Sequence, residues 1–180
     1  MAVPGDALLG ALQEAFGDLP LIAEDLGVIT DDVHALRDRY DLPGMRVLQF
    51  GFDGDPGNPH LPHNYVANGV AYTGTHDNDT TSGWYAALSA SERAIVRDYL
   101  PDVDGDPAWA MMRAVIASVA GLAVVPWQDV LGLGSGARMN TPGKCTGNWG
   151  FRFHWEDVAD DVPARLARLA FLYGRTVRPR

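Results

Sequence analysis

Read for apolar and polar positions, the chain alternates short apolar runs with stretches of helical period. Leu8, Leu9, Leu12 and Phe16 share one face behind Asp6, and Gly17 follows, which predicts a first helix capped by Asp6. Leu19-Pro20-Leu21-Ile22-Ala23 is apolar and short, predicting a strand that ends in Glu24-Asp25. Thr30, with Asp31 and Asp32 behind it, predicts a capped helix start, because acids meet the positive end of the helix; it runs to about Tyr40. Pro43-Gly44 breaks the pattern and Met45 to Phe50 predicts a second strand, followed by a loop, Gly51 to Pro62, too rich in Gly, Pro, Asp and Asn for an element.

Val70-Ala71-Tyr72 predicts a third strand that stops in Thr75-His76-Asp77-Asn78-Asp79, with Asp79 or Thr80 placed to cap the next helix. Ser89-Ala90-Ser91-Glu92 is a capping box before a helix carrying Ile95, Val96, Tyr99 and Leu100. Asp106-Pro107 joins a cap to a first-turn proline, and Trp109, Met112 and Ile116 share a face behind it. Leu122 to Val125 predicts a fourth strand, ending in Trp127, Gln128 and Asp129. Gly132 to Gly150 holds six glycines and little period, so it reads as loop, though Arg138, Asn140, Asn148 and Trp149 are residue types that grip a sugar. A last helix spans about Pro163 to Tyr173, with Leu166, Leu169 and Tyr173 on one side and Gly174 beyond.

Short, fully apolar strands alternating with helices predict an α/β chain with a parallel sheet and helices outside it. Polar groups gather at the carboxyl ends of the strands, where such sheets hold their ligands: Glu24, then His76 with Asp77, then Gln128. A (β/α) barrel suits that arrangement, but a complete barrel needs eight strands and roughly 250 residues. From pattern alone, a small doubly wound sheet remains the alternative.

Composition narrows the partners. The 180 residues are 47% hydrophobic and 21% charged, the balance of a soluble globular chain. A net charge of -9, with no Lys or Arg before Arg37, argues against nucleic acid or an anionic membrane as a partner. The longest uncharged run, Ala114 to Gln128, is too short to span a bilayer and contains Gly121 and Pro126. No basic signal-peptide region opens the chain, so the expected compartment is cytoplasmic, and the single cysteine, Cys145, fits a reducing one.

If the parallel sheet curls, Glu24 and Asp77 come over one cavity. Paired carboxyl groups are the equipment of glycosidic-bond chemistry, in which one donates a proton to the leaving oxygen and another stabilises an oxocarbenium-like centre. The plainer alternative is a salt-bridged or capping acid at each strand end. A metal site would draw on His60, His63, His76 and several acids, but no spacing among them is that of a zinc site, so no metal is expected.

Four segments then stand out together: Leu21-Ile22-Ala23-Glu24-Asp25-Leu26-Gly27, Leu61-Pro62-His63-Asn64-Tyr65, Tyr72-Thr73-Gly74-Thr75-His76-Asp77-Asn78-Asp79-Thr80 and Arg138-Met139-Asn140-Thr141-Pro142-Gly143. In order and spacing they resemble the 4-α-glucanotransferases, the amylomaltase or disproportionating enzymes of the α-amylase class, over nearly all of the chain. The resemblance implies the C-terminal half, about strands five to eight, of a (β/α)8 TIM barrel. Residues 1–180 would then be a partial catalytic domain whose N-terminal half is missing.

Carried over residue by residue, the resemblance makes Glu24 the general acid/base and Asp77 the carboxylate that holds sugar hydroxyls and stabilises the transition state. His76 would bind the same ring, with His63, Asn64, Trp127, Asn148 and Trp149 as further sugar contacts. The implied reaction transfers α-1,4-glucan segments to glucose or glucan acceptors by a retaining double displacement, with maltooligosaccharides as substrates and no cofactor. The family's aspartate nucleophile, in its Arg-Ile-Asp-His surroundings, has no match between Met1 and Leu21. Lys144-Cys145 and Phe151 also depart from the family's pattern. The chain alone is therefore expected to be inactive and to self-associate through the open edges of a half-barrel. A non-catalytic remnant that binds glucan or a partner half-barrel is the alternative.

Overall fold

A computed structural model describes residues 4–18 and 20–176. Among them three strands, β1 (Gly44–Val47), β2 (Gly69–Tyr72) and β3 (Leu122–Val124), form one parallel sheet in that order. Gly44 pairs with Gly69 and Val70 with Leu122, so the strand ends are level and their carboxyl termini open on one side. The helices are α1 (Gly5–Phe16), α2 (Asp31–Arg39), α3 (Thr81–Ala87), α4 (Ala90–Tyr99), α5 (Pro107–Ala117), α6 (Trp127–Val130) and α7 (Val162–Leu172).

The expected strand before Glu24 is reduced to one parallel bridge, Ala23 to Gly44. Leu19 lies outside the described residues, Pro20 has no N–H to donate, and Leu21 and Ile22 stay exposed. The second strand also ends earlier than its apolar run. After Val47 the chain turns into a 3-10 turn, Leu48–Phe50, which sends the Gln49 side chain to the Asp79 carbonyl at 3.0 Å. Trp127 to Asp129, expected as a strand terminus, belong to the single turn α6. Asp6 does not cap α1: Pro4 holds that position, and Asp6, in the first turn, pairs with Arg39 at 2.6 Å.

The local signals around the sheet hold. Thr80 caps α3 by accepting from the Gly83 N–H, Ser89 and Glu92 close their box on α4, and Asp106 caps α5. The core is built on both sides of α5. Met111 and Val115 pack with Leu48, Tyr65 and Ala71 of the sheet side, while Trp109 and Met112 pack with Val130, Val162 and Leu169 toward α7. Each fully buried side chain of this size contributes about 1.5–3 kcal/mol through burial. α5 is thus fixed on two faces, and through it the sheet and the turns that follow β2 and β3. The outer edge of β3 is unpaired among the described residues, and Leu122 and Val124 are exposed along it.

Candidate active site

The turn after β2 begins at Thr73 and ends at Thr81, and a buried acid ties both ends. Asp129 accepts from the Thr73 hydroxyl at 2.5 Å, from the Thr81 N–H at 2.7 Å and from the Thr81 hydroxyl at 2.7 Å. Within the turn, the Asn78 side-chain oxygen accepts from the Thr75 N–H and hydroxyl, and Thr75 in turn accepts from the Asp77 N–H. Such an Asx-type loop satisfies its own backbone and leaves the His76 and Asp77 side chains free to project.

A second loop is stitched onto the first. Arg138 donates to the Asp77 carbonyl at 2.6 Å, the Asn140 N–H to the His76 carbonyl at 3.0 Å, and the Asn140 amide to Asp77 Oδ1 at 2.6 Å. His76 Nε2 lies 3.3 Å from the same Oδ1. No bond to the other carboxylate oxygen forms among the described residues. Trp149, held at φ 60° with its N–H on the Met139 carbonyl, lays its ring against His76 with centroids 5.2 Å apart.

Beside β1, at the edge of the sheet away from β3, Asp25 turns inward. It accepts from the Met45 N–H at 2.6 Å and pairs with Arg37 at 2.5 Å and Arg46 at 3.4 Å, a close approach that Gly44 permits because a side chain there would strike the carboxylate. Burial alone would raise the Asp25 carboxyl, but the Met45 N–H and the two arginines outweigh it and hold the group below its ordinary range. With Asp25 pinned inside, its neighbour Glu24 faces outward, exposed.

Both carboxylates open onto one cavity of about 1450 Å3 at the carboxyl ends of the strands. Tyr72 stands in its wall, and burial pushes its phenol up, helped by the nearby Glu24 carboxylate. His60 also lines it. Its Nδ1 accepts from the Val47 N–H at 3.0 Å, so Nε2 carries the hydrogen. Burial and Arg46 push its pKa down and keep the ring neutral, against the pull of Asp25 and Asp53. Carboxylates, neutral N–H donors and ring faces converge here, a set suited to a polyhydroxylated ligand. No cluster of three or more metal-ligating side chains forms among the described residues.

The model of the 4-alpha-glucanotransferase family matches residues 1–158. This chain belongs to that family. It is 52% identical over 175 residues to the 4-alpha-glucanotransferase of Thermus thermophilus, covering 93% of this chain and 35% of the relative. It is 50% identical over 177 residues to that of Synechocystis, covering 97% and 35%. Its fold superposes on the amylomaltase from Streptococcus agalactiae in complex with acarbose with a TM-score of 0.93 at 34% identity, over 98% of this chain and 36% of that one. The chain thus spans about a third of the length of these relatives.

Within this 4-alpha-glucanotransferase fold, Glu24, His76, Asp77 and Trp149 meet in the cavity. Four expected sugar contacts do not. His63 is turned to Tyr99 and the Pro56 carbonyl, and Asn64 donates to the Pro56 and Asn58 carbonyls, so both brace the loop after β1. Trp127 packs against Phe153 and Trp155 in the cluster of α5 and α7. Asn148 spends its amide on the Thr141 N–H and the Lys144 carbonyl. Sequence reasoning missed His60 and Tyr72 as wall residues, and the anchoring role of Asp129. The threonines at both ends of the His-Asp turn were the one signal for a buried acceptor.

Proposed function

We propose that this chain carries the acid/base side of a site that transfers α-1,4-glucan segments by a retaining double displacement, and that its strands correspond to the second half of a (β/α)8 barrel. The observation that carries the reading is the meeting of Glu24 and Asp77 over one cavity, each left available by a buried acid behind it. Glu24 protonates the leaving glycosidic oxygen and then takes a proton from the acceptor hydroxyl. Asp77, its orientation set by Asn140 and His76, holds hydroxyls of the reacting ring and stabilises the positive charge that develops on it. Trp149 offers a ring face to the sugar. The nucleophile's role is left to a carboxylate from the part of the family's length that this chain does not span.

The test replaces the matching segment of the full-length Thermus thermophilus relative with this chain and measures glucose release from maltotriose. Glu24→Gln should lower transfer by roughly a thousandfold or more, while a donor with an activated leaving group still forms the covalent intermediate. Near-normal transfer in that variant would overturn the assignment. Binding of maltooligosaccharide with no turnover in the parent chimera would favour a non-catalytic glucan binder instead.

A further inference from the structure

The loop after β1 has two faces. Phe50 and His60 line the cavity at the strand ends, and the opposite face closes a separate cleft of about 310 Å3 against α4. Phe52, His63, Ile95 and Tyr99 wall this cleft, together with the exposed carboxylates Asp55 and Asp98. Its volume lies at the lower end of small-ligand sites, roughly 300–1000 Å3.

The walls are preorganised. The Tyr99 ring stands edge-on to Phe52 with centroids 5.9 Å apart and lies against His63 at 5.7 Å. The Pro56 carbonyl only accepts, so the His63 Nε2 donates to it at 2.9 Å and Nδ1 accepts from the Tyr99 hydroxyl at 2.8 Å. Burial pushes the Tyr99 phenol up, which keeps it neutral. The polar atoms of the wall are thus spent on one another. Open to a ligand are ring surface, the Ile95 side chain, and carboxylate oxygens: Asp55 uses only Oδ1, on the Gly57 N–H, and Asp98 has no bond among the described residues.

That combination selects its ligand. An anion would meet two carboxylates in a chain of net charge -9, and a purely apolar molecule would strip water from them without replacing its hydrogen bonds. A pyranose satisfies both features, with its CH face on the rings and its hydroxyls donating to the acids. We propose that this cleft is a second binding site for an α-1,4-glucan segment, separate from the cavity and connected to it by the loop after β1. The inference rests on the glucan reading of the cavity for the class of sugar.

Electrophoresis of the chimera with the Thermus thermophilus relative, in gels containing soluble amylose and with dextran as the α-1,6-linked control, tests it. Asp77→Ala should weaken amylose retardation but not abolish it. In that background, Ile95→Arg, which fills the cleft, and Asp98→Ala, at an exposed position that leaves packing intact, should each weaken it about tenfold, the size of one lost hydrogen-bonded contact to a charged group. If Asp77→Ala alone abolishes retardation, or if both cleft substitutions leave it unchanged, the second site is overturned while the cavity reading stands. Retardation that falls with the cleft substitutions but not with Asp77→Ala supports the second site and overturns the cavity reading. Equal retardation by dextran would overturn the assignment to α-1,4-glucans, and no retardation of the parent chimera would overturn both readings.

Discussion

The floor beneath the cavity and its rim are built from the same residue type put to opposite use. Asp129, near the end of β3, is 1% exposed and accepts three hydrogen bonds, whereas Asp77, beyond the end of β2, is about half exposed and held through one oxygen. Asp25 and Glu24 repeat the contrast in adjacent positions, one locked to two arginines and a backbone N–H, the other exposed to the cavity. An acid at a strand end is therefore not by itself a site residue. What separates the two kinds is whether the protein has already filled the lone pairs, since a saturated carboxylate has nothing left for a ligand.

This contrast predicts that floor substitutions cost stability and rim substitutions cost ligand. Asp129→Ala leaves the Thr73 hydroxyl and both Thr81 donors buried without an acceptor, so unfolding free energy in urea should fall by about 3 kcal/mol. A loss under half that size would show that Asp129 is not the clamp of the turn.

Asp25→Asn should cost about 2 kcal/mol near neutral pH, because it removes a buried charge from between two guanidinium groups. The folded carboxyl titrates below its ordinary value of 3.8, so its stabilisation is fully present above that value and is lost as pH falls from there toward the folded pKa. The stability difference between parent and variant should thus stay level from neutral down to about pH 5 and shrink below about pH 4. A difference that grows on acidification would break the assignment.

Asn140→Ala should have the smallest effect on the fold, within about 0.5–1 kcal/mol, because Arg138 and the Asn140 backbone still join the two loops. Its effect should appear in ligand handling: retardation by amylose weakens a fewfold as Asp77 loses its neutral donor. A stability loss as large as that of Asp129→Ala would place Asn140 in the floor.

Legibility followed the range of the interaction. The Ser89–Glu92 box and the Asp106-Pro107 start were readable because every partner lies within one helical turn. The run before Glu24 has a strand's composition but forms no strand, because a ladder requires a neighbour with matching donors, and Pro20 and Pro43 have no N–H to offer. His60 and His63 lie three residues apart in one loop, and nothing local separates a cavity wall residue from one that braces the loop. The Val47 N–H captures the first, and Tyr99 with the Pro56 carbonyl captures the second.

The amino-acid sequence by itself determined the parallel α/β character, the starts of α3, α4 and α5 and the place of Asp77 beyond the end of β2, since periodicity, caps and turn chemistry act over a few residues. Its motifs were also specific enough to indicate the family. Tertiary structure decided which polar side chains face the cavity. That choice depends on donors distant in sequence, such as Thr73 and Thr81 on Asp129, Arg37 and Met45 on Asp25, and Asn140 on Asp77, which come within bonding distance only when the sheet and α5 are packed.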